Sequence, residues 1–191
     1  AMKAGSWLGP SVTMESGSPD TALAGAKHTL SGRIEIGGQE HFYLEGQAAL
    51  AIPGEDRDMT LHCSTQHPSE IQHKVADCLG LSNHDVTVET RRMGGAFGGK
   101  ESQGNLPAIL SALAAHVTGR PAKTVYDRDD DFMLTGKRHD FRIDYSVGFD
   151  AEGKIEAVIF EQALRCGMSW DLSEAIAARA MCHADNAYHI P

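Results

Sequence analysis

From Phe141 to Phe149 the chain alternates strictly, with Phe141, Ile143, Tyr145, Val147 and Phe149 at every second position. Side chains change face at each step along a strand, so this pattern predicts a half-buried β-strand. Asp150-Ala-Glu-Gly153 reads as a turn and Ile155–Leu164 as the returning strand of a hairpin. Further strands are predicted at Thr29–Ile36, His41–Ile52, Met59–Ser64, Val86–Arg92 and Lys123–Asp127, with Gly37-Gly38 parting the first two. Helical spacing appears in three places. Ile71, Val75, Cys78 and Leu79 give one stripe behind Pro68, with Gly80 as the stop. Leu106, Ile109, Leu110, Leu113 and Val117 give a second, ended by Gly119 and Pro121. A third helix is predicted over Leu172–Met181, opened by Asp171 and Glu174 as a capping box. Residues 1 to about 27, rich in Gly, Ser, Pro and Ala, read as extended, and Ala1 before Met2 as a cloning residue. Hairpins mixed with two or three helices make the expected class α+β, with mixed sheets. The expected division is an extended segment over 1–28 and a folded domain over 29–191.

Composition narrows the function classes. Hydrophobic residues at 41% and charged residues at 23% are ordinary for a globular domain. A formal net charge of −9 argues against nucleic acid or an anionic membrane as partner, since both call for a basic footprint. No apolar run has the length of a membrane span, and no signal-peptide pattern opens the chain. Cys63, Cys78, Cys166 and Cys182 lack Cys-x-x-Cys spacing and read as reduced thiols of a cytoplasmic protein. The ten histidines are dispersed, so no metal ligand is assigned. Lys137-Arg138-His139 reads as a structural or interface patch, and Asp127–Asp131 as a turn that engages Arg128.

The densest chemistry lies in Arg92-Met-Gly-Gly-Ala-Phe-Gly-Gly-Lys-Glu-Ser102, where four glycines surround one phenylalanine between a strand and a helical pattern. Such a loop exposes backbone N–H groups suited to an anion or oxo group. The dinucleotide fingerprint fails because Ala96 stands at its second glycine. A P-loop fits Gly94 to Lys100, yet Glu101 replaces the Ser or Thr that holds Mg²⁺. That nucleotide-binding reading remains the rival, beside an unliganded turn and a non-catalytic scaffold.

Met93-Gly-Gly-Ala-Phe-Gly-Gly-Lys-Glu101 resembles the loop of the molybdenum-cofactor domain in xanthine dehydrogenases and oxidases, with Ala96 where the family usually has Gly. Gly37-Gly-Gln-Glu-His-Phe-Tyr-Leu-Glu45, Ser64-Thr-Gln66, Asp127–Asp131, Thr135–His139, Asp171–Ser173 and His183–Asn186 follow in the family's order. The resemblance runs from about Leu30 to Pro191 and implies the N-terminal part of a molybdopterin-binding domain. It implies an enzyme that oxidises hypoxanthine to xanthine and xanthine to urate, passing electrons through iron–sulfur clusters and FAD, usually to NAD⁺. Partners would be the remainder of the molybdenum domain, the iron–sulfur/FAD part and a purine.

The resemblance also implies individual roles. Glu101 would bind the purine ring, and the Gln39 amide would donate to an oxo ligand of molybdenum. Phe97, flanked by glycines on both sides, reads as a packed anchor of the loop; by the resemblance its backbone would approach the cofactor, and Gly95 and Gly98 would let the main chain come close. The family's substrate arginine and catalytic glutamate have no counterpart here. No catalytic residue is therefore assigned, and the chain alone is expected to bind molybdopterin weakly or not at all and to be inactive.

Overall fold

The computed structural model describes residues 4–191, so Ala1 lies outside the described part. The elements run α1 (Pro19–Gly25), β1 (His28–Ile36), β2 (Ala48–Pro53), β3 (Met59–Cys63), α2 (Pro68–Leu79), β4 (Val86–Glu89), α3 (Asn105–Thr118), β5 (Ala122–Val125), α4 (Arg128–Leu134), β6 (Phe141–Phe149), β7 (Ile155–Leu164) and α5 (Ser173–Cys182). They form two units: residues up to Gly37 together with His139–Pro191, and the continuous stretch Gly38–Arg138. The class is α+β with mixed sheets, as expected. Among the described residues five α-helices replace the expected two or three, because α1 and α4, seven residues each, form where a loop and a turn were read. No helix among the described residues is long and apolar enough to cross a membrane.

The first unit is an antiparallel sheet ordered β1-β6-β7. The hairpin stands where alternation placed it. Asp150 accepts from Glu152 N and Lys154 N, and Gly153 adopts φ +83° in the turn. Register sets Leu30 against Val147, Ile34 against Ile143 and Ile36 against Phe141, giving one apolar face. The other face carries Arg33–Asp144 at 2.6 Å. Before α5 the N-cap falls on Leu172, not on Asp171, so the expected capping box does not form. The α5 start is held instead by Ser173, whose buried hydroxyl lies 2.7 Å from His139 Nε2.

The second unit holds a four-stranded sheet ordered β4-β3-β2-β5, with β3 and β4 parallel and the other pairs antiparallel. The α2 helix makes the crossover between the parallel strands. Gly80 ends it in the left-handed region, as its place after the stripe requires. Met59, Leu61 and Cys63 alternate inward against Ile71 and Val75 of α2 and Ala108, Ala112 and Ala115 of α3. The buried face of α3 is therefore its small one. Leu106, Leu110, Leu113 and Val117 of the expected stripe stay exposed, and only Ile109 packs on the core. An alanine-rich helix is apolar on several sides, and the alanines of β2 (Ala49, Ala51) favour close approach by other small side chains. Ser111 Oγ bonds Ala49 O across that interface at 3.1 Å.

Candidate functional site

The glycine loop connects β4 to α3, but the helix begins at Asn105, five residues beyond Lys100. Glu101 therefore lies in a bend before the helix and not in its first turn, where a helix dipole would favour a carboxylate. The four glycines have two physical reasons, backbone dihedral and close approach. Gly95 and Gly98 adopt φ +91° and +89°, which side chains rarely tolerate. A methyl group on Gly94 would sit 2.5 Å from Glu45 Cβ, and one on Gly99 would sit 2.6 Å from the Tyr43 ring and 2.7 Å from His41 Cγ. Ala96 is outside the positive-φ region and buried, so its extra methyl is accommodated.

Beneath the loop runs 41–47, read from sequence as strand. Only Ala48–Pro53 joins the ladder, and Phe42 at φ +50° breaks the approach. Alternation survives nonetheless: Phe42 and Leu44 point outward while Tyr43 and Gln47 are buried and Glu45 half-buried. These three inward side chains hold the loop. Glu45 Oε2 accepts from Gly94 N at 2.8 Å, Ser64 Oγ at 2.7 Å and Lys100 Nζ at 3.0 Å. Gln47 Nε2 donates to Gly99 O and to Tyr43 Oη, each at 2.9 Å, and Tyr43 Oη donates to buried Asp131 at 2.6 Å. Gln66 Oε1 accepts from Gly98 N and Lys100 N. Lys100 is fully buried, its ammonium also bonded to Ser64 and 4.7 Å from the centre of the Tyr43 ring.

The electrostatics follow from this packing. Partial burial pushes the Glu45 carboxyl up, but the bonds from Gly94, Ser64 and Lys100 outweigh it and leave the group below its ordinary value. Burial, aided by the Asp131 bond, pushes the Tyr43 phenol well up. His41, stacked on Tyr43, is shifted down by burial and is neutral near pH 7. Cys63 beside the cluster is pushed up to about 11 by burial.

With Gly94, Gly98, Gly99 and Lys100 engaged, the N–H groups of Gly95, Ala96 and Phe97 have no acceptor among the described residues. The φ sign changes from Gly95 to Ala96 and again at Phe97 (+55°), the alternation that curls successive amides around an acceptor. Phe97 corrects the sequence reading. Its ring is 74% exposed and anchors nothing, because its left-handed backbone directs the side chain away from the core.

Gln39 pairs its backbone with Arg138 in an isolated bridge, and its Oε1 accepts from Arg138 Nη1 at 2.7 Å. With the oxygen so engaged, the amide NH₂ remains a donor without an acceptor among the described residues. Gln39 is exposed and makes no hydrogen bond to the loop, although His41, two residues on, packs under Gly99. Glu101 is exposed and bonded to neither. A cleft of about 430 Å³ is lined by Glu45, Cys63, Ser64, Arg92 and Lys123, and none of the five expected site residues lines it. Lys137 bonds Glu40 at 2.8 Å, so the basic patch is structural. Asp127 caps α4 through Asp130 N, as a loop carboxylate that engages the next segment should. The P-loop reading fails: Lys100 is sealed against Glu45, and no helix starts where the phosphates would need it.

Glu45, Gln47, Gln66 and Lys100 hold the site, and sequence reasoning gave them no role. Glu45, Gln66 and Lys100 did stand in the stretches that carried the resemblance, and Gln47 only in the alternation with Tyr43 and Glu45, and neither signal names its target.

Residues 7–191 match the model of the molybdopterin cofactor-binding domain. The chain is 48% identical to xanthine dehydrogenase of Drosophila subobscura over 170 residues, covering 89% of this chain and 13% of that protein. It is 44% identical to the xanthine dehydrogenase/oxidase of Mus musculus, covering all of this chain and 14% of that one. The aldehyde oxidoreductase from Desulfovibrio gigas shares the fold at a TM-score of 0.76 and 23% identity, over 86% of this chain and 18% of its own.

Proposed function

The chain belongs to the molybdopterin cofactor-binding domain family, and from that premise we propose that it forms the glycine-loop part of the cofactor site in a purine-oxidising molybdenum hydroxylase. The observation that carries this is the row of three unpaired amides at Gly95, Ala96 and Phe97 on a loop bonded from beneath at both ends. The free NH₂ of Gln39 supplies a further donor of the right kind, a neutral group that holds an acceptor without ligating a metal. A molybdenum–pterin group, when bound, supplies the oxidative hydroxylation. The chain's own part is to orient it: Gly95, Phe97 and Gly98 approach through backbone, Gln39 through its amide.

Glu101 is the substrate residue in this reading. Exposed and without a partner among the described residues, its carboxylate is available to accept from the ring N–H groups of a purine and fix the ring's orientation. The likeness to xanthine dehydrogenases supports hypoxanthine and xanthine as substrates. It also supports iron–sulfur, FAD and NAD⁺ sites in the remaining length of such a protein, which is several times that of this chain. The four cysteines are unpaired, which fits a reducing compartment such as the cytoplasm. By itself the 191-residue chain is expected to turn over no purine. The test is Glu101→Val in the longer protein that carries this stretch. A rise in KM for xanthine of tenfold or more, with molybdenum content unchanged, is expected on the loss of about 1.4 kcal/mol or more of binding. Unaltered xanthine kinetics would remove Glu101 from the site.

A further inference from the structure

We propose that Glu45 and Lys100 form a positioning clamp, in which one carboxylate oxygen ties the first and last residues of the glycine loop and so sets the amide row between them. The geometry is specific. Glu45 Oε2 receives Gly94 N at one end of the loop and Lys100 Nζ at the other, with Ser64 Oγ as a third donor. Lys100 spends its three N–H donors on Glu45, Ser64 and the face of Tyr43, so its charge is fully engaged inside.

Stability alone is a weak reason for this arrangement. A buried ion pair seldom outperforms apolar residues of the same shape, and a methionine would fill the space of Lys100. What the pair adds is a fixed distance between loop ends, which apolar contact specifies poorly. Gly94 fits the same account: the contact that forbids its methyl group is with Glu45 itself. The clamp therefore accounts for a glycine of the motif that backbone dihedrals do not. Its consequence for a ligand rests on the cofactor reading above, since the row it positions is Gly95–Phe97. Glu45 and Lys100 touch no reacting group and act only through the loop.

Amide exchange by mass spectrometry on this chain tests the clamp without any cofactor. Glu45→Ala is expected to speed exchange of Met93–Lys100 by tenfold or more, while peptides of α2 exchange as in the wild type. Glu45→Gln keeps an acceptor for Gly94 N but leaves Lys100 with neutral partners, and is expected to give a smaller rise of about threefold. Ser64→Ala, which removes one donor and leaves the fold's core intact, is expected to give a rise of about threefold. Should Glu45→Ala fail to fold, the Gln and Ala variants at 45 and 64 still decide the matter. Loop exchange at the wild-type rate in these variants, or an equal rise in α2, overturns the clamp. A second measurement, molybdopterin content of the longer protein carrying Glu45→Gln or Ser64→Ala, separates the two readings. A mobilised loop with full cofactor content upholds the clamp and sinks the cofactor-facing assignment of the loop.

Discussion

Neutralising the two ends of the Glu45–Lys100 pair should cost unequal amounts, and the inequality can be worked from their exposure. Lys100 is fully buried, whereas the Glu45 side chain is 41% exposed. In Lys100→Met the surviving carboxylate turns to water and keeps Gly94 and Ser64 as donors, so the losses are the ammonium's bonds to Glu45 and Ser64, offset by the apolar burial of methionine, a net of about 1–2 kcal/mol. In Glu45→Gln the ammonium stays sealed in the interior with only neutral partners. Breaking a buried pair in that direction costs about 3–5 kcal/mol. The retained amide oxygen and the partial exposure of position 45 reduce this to roughly 2–4 kcal/mol. Urea unfolding followed by far-ultraviolet circular dichroism reads the difference. With a slope of about 1.5 kcal/mol/M, Glu45→Gln should lower the midpoint by roughly 1.3–2.7 M and Lys100→Met by about 1 M. Because the folded Glu45 carboxyl lies below its ordinary value, its contribution is present above about pH 4.5 and lost as pH falls through the folded value. The gap between wild type and Glu45→Gln should thus hold from about pH 5 to 8 and close in stronger acid. Equal costs, or a larger one for Lys100→Met, would refute the account of a sealed ammonium.

Three further outcomes are expected. Gly99→Ala drives a methyl group to 2.6 Å from the Tyr43 ring and should destabilise by about 1–3 kcal/mol, read as a fall in Tm. On α3, Leu113→Gln on the exposed face should change stability by less than about 0.5 kcal/mol, whereas Ala112→Leu on the buried face should cost about 1–3 kcal/mol. Thiol labelling of the native chain at pH 8 should modify exposed Cys78 and Cys182 within minutes and leave Cys63, buried and pushed up to about 11, unreacted until the chain unfolds.

Local pattern determined much of this protein. Strict alternation placed the β6–β7 hairpin residue by residue, and Gly80 and Gly119 marked helix ends in the left-handed region that glycine favours. These features depend on neighbours within a few positions, so a linear string displays them. The glycine loop was visible as a loop for the same reason, and its spacing with the flanking motifs carried the resemblance to a cofactor-binding family. Where the pattern was degenerate it misled. Apolar residues cover most of α3, so periodicity chose the bulky Leu106–Val117 stripe, and only packing against Ala49 and Ala51 selected the small face. Phe97 was read as an anchor because glycines flank it on both sides, yet its backbone dihedral turns it outward.

What tertiary structure alone decided is the support of the loop. Glu45, Gln47, Gln66 and Lys100 look like ordinary polar residues in the string, and Glu45 meets its lysine across 55 positions. No local rule contains that pairing: it exists because β2 and the segment before it pass directly under the loop. A charge becomes costly or useful only once folding has removed it from water, which is a property of position in space, not of residue type.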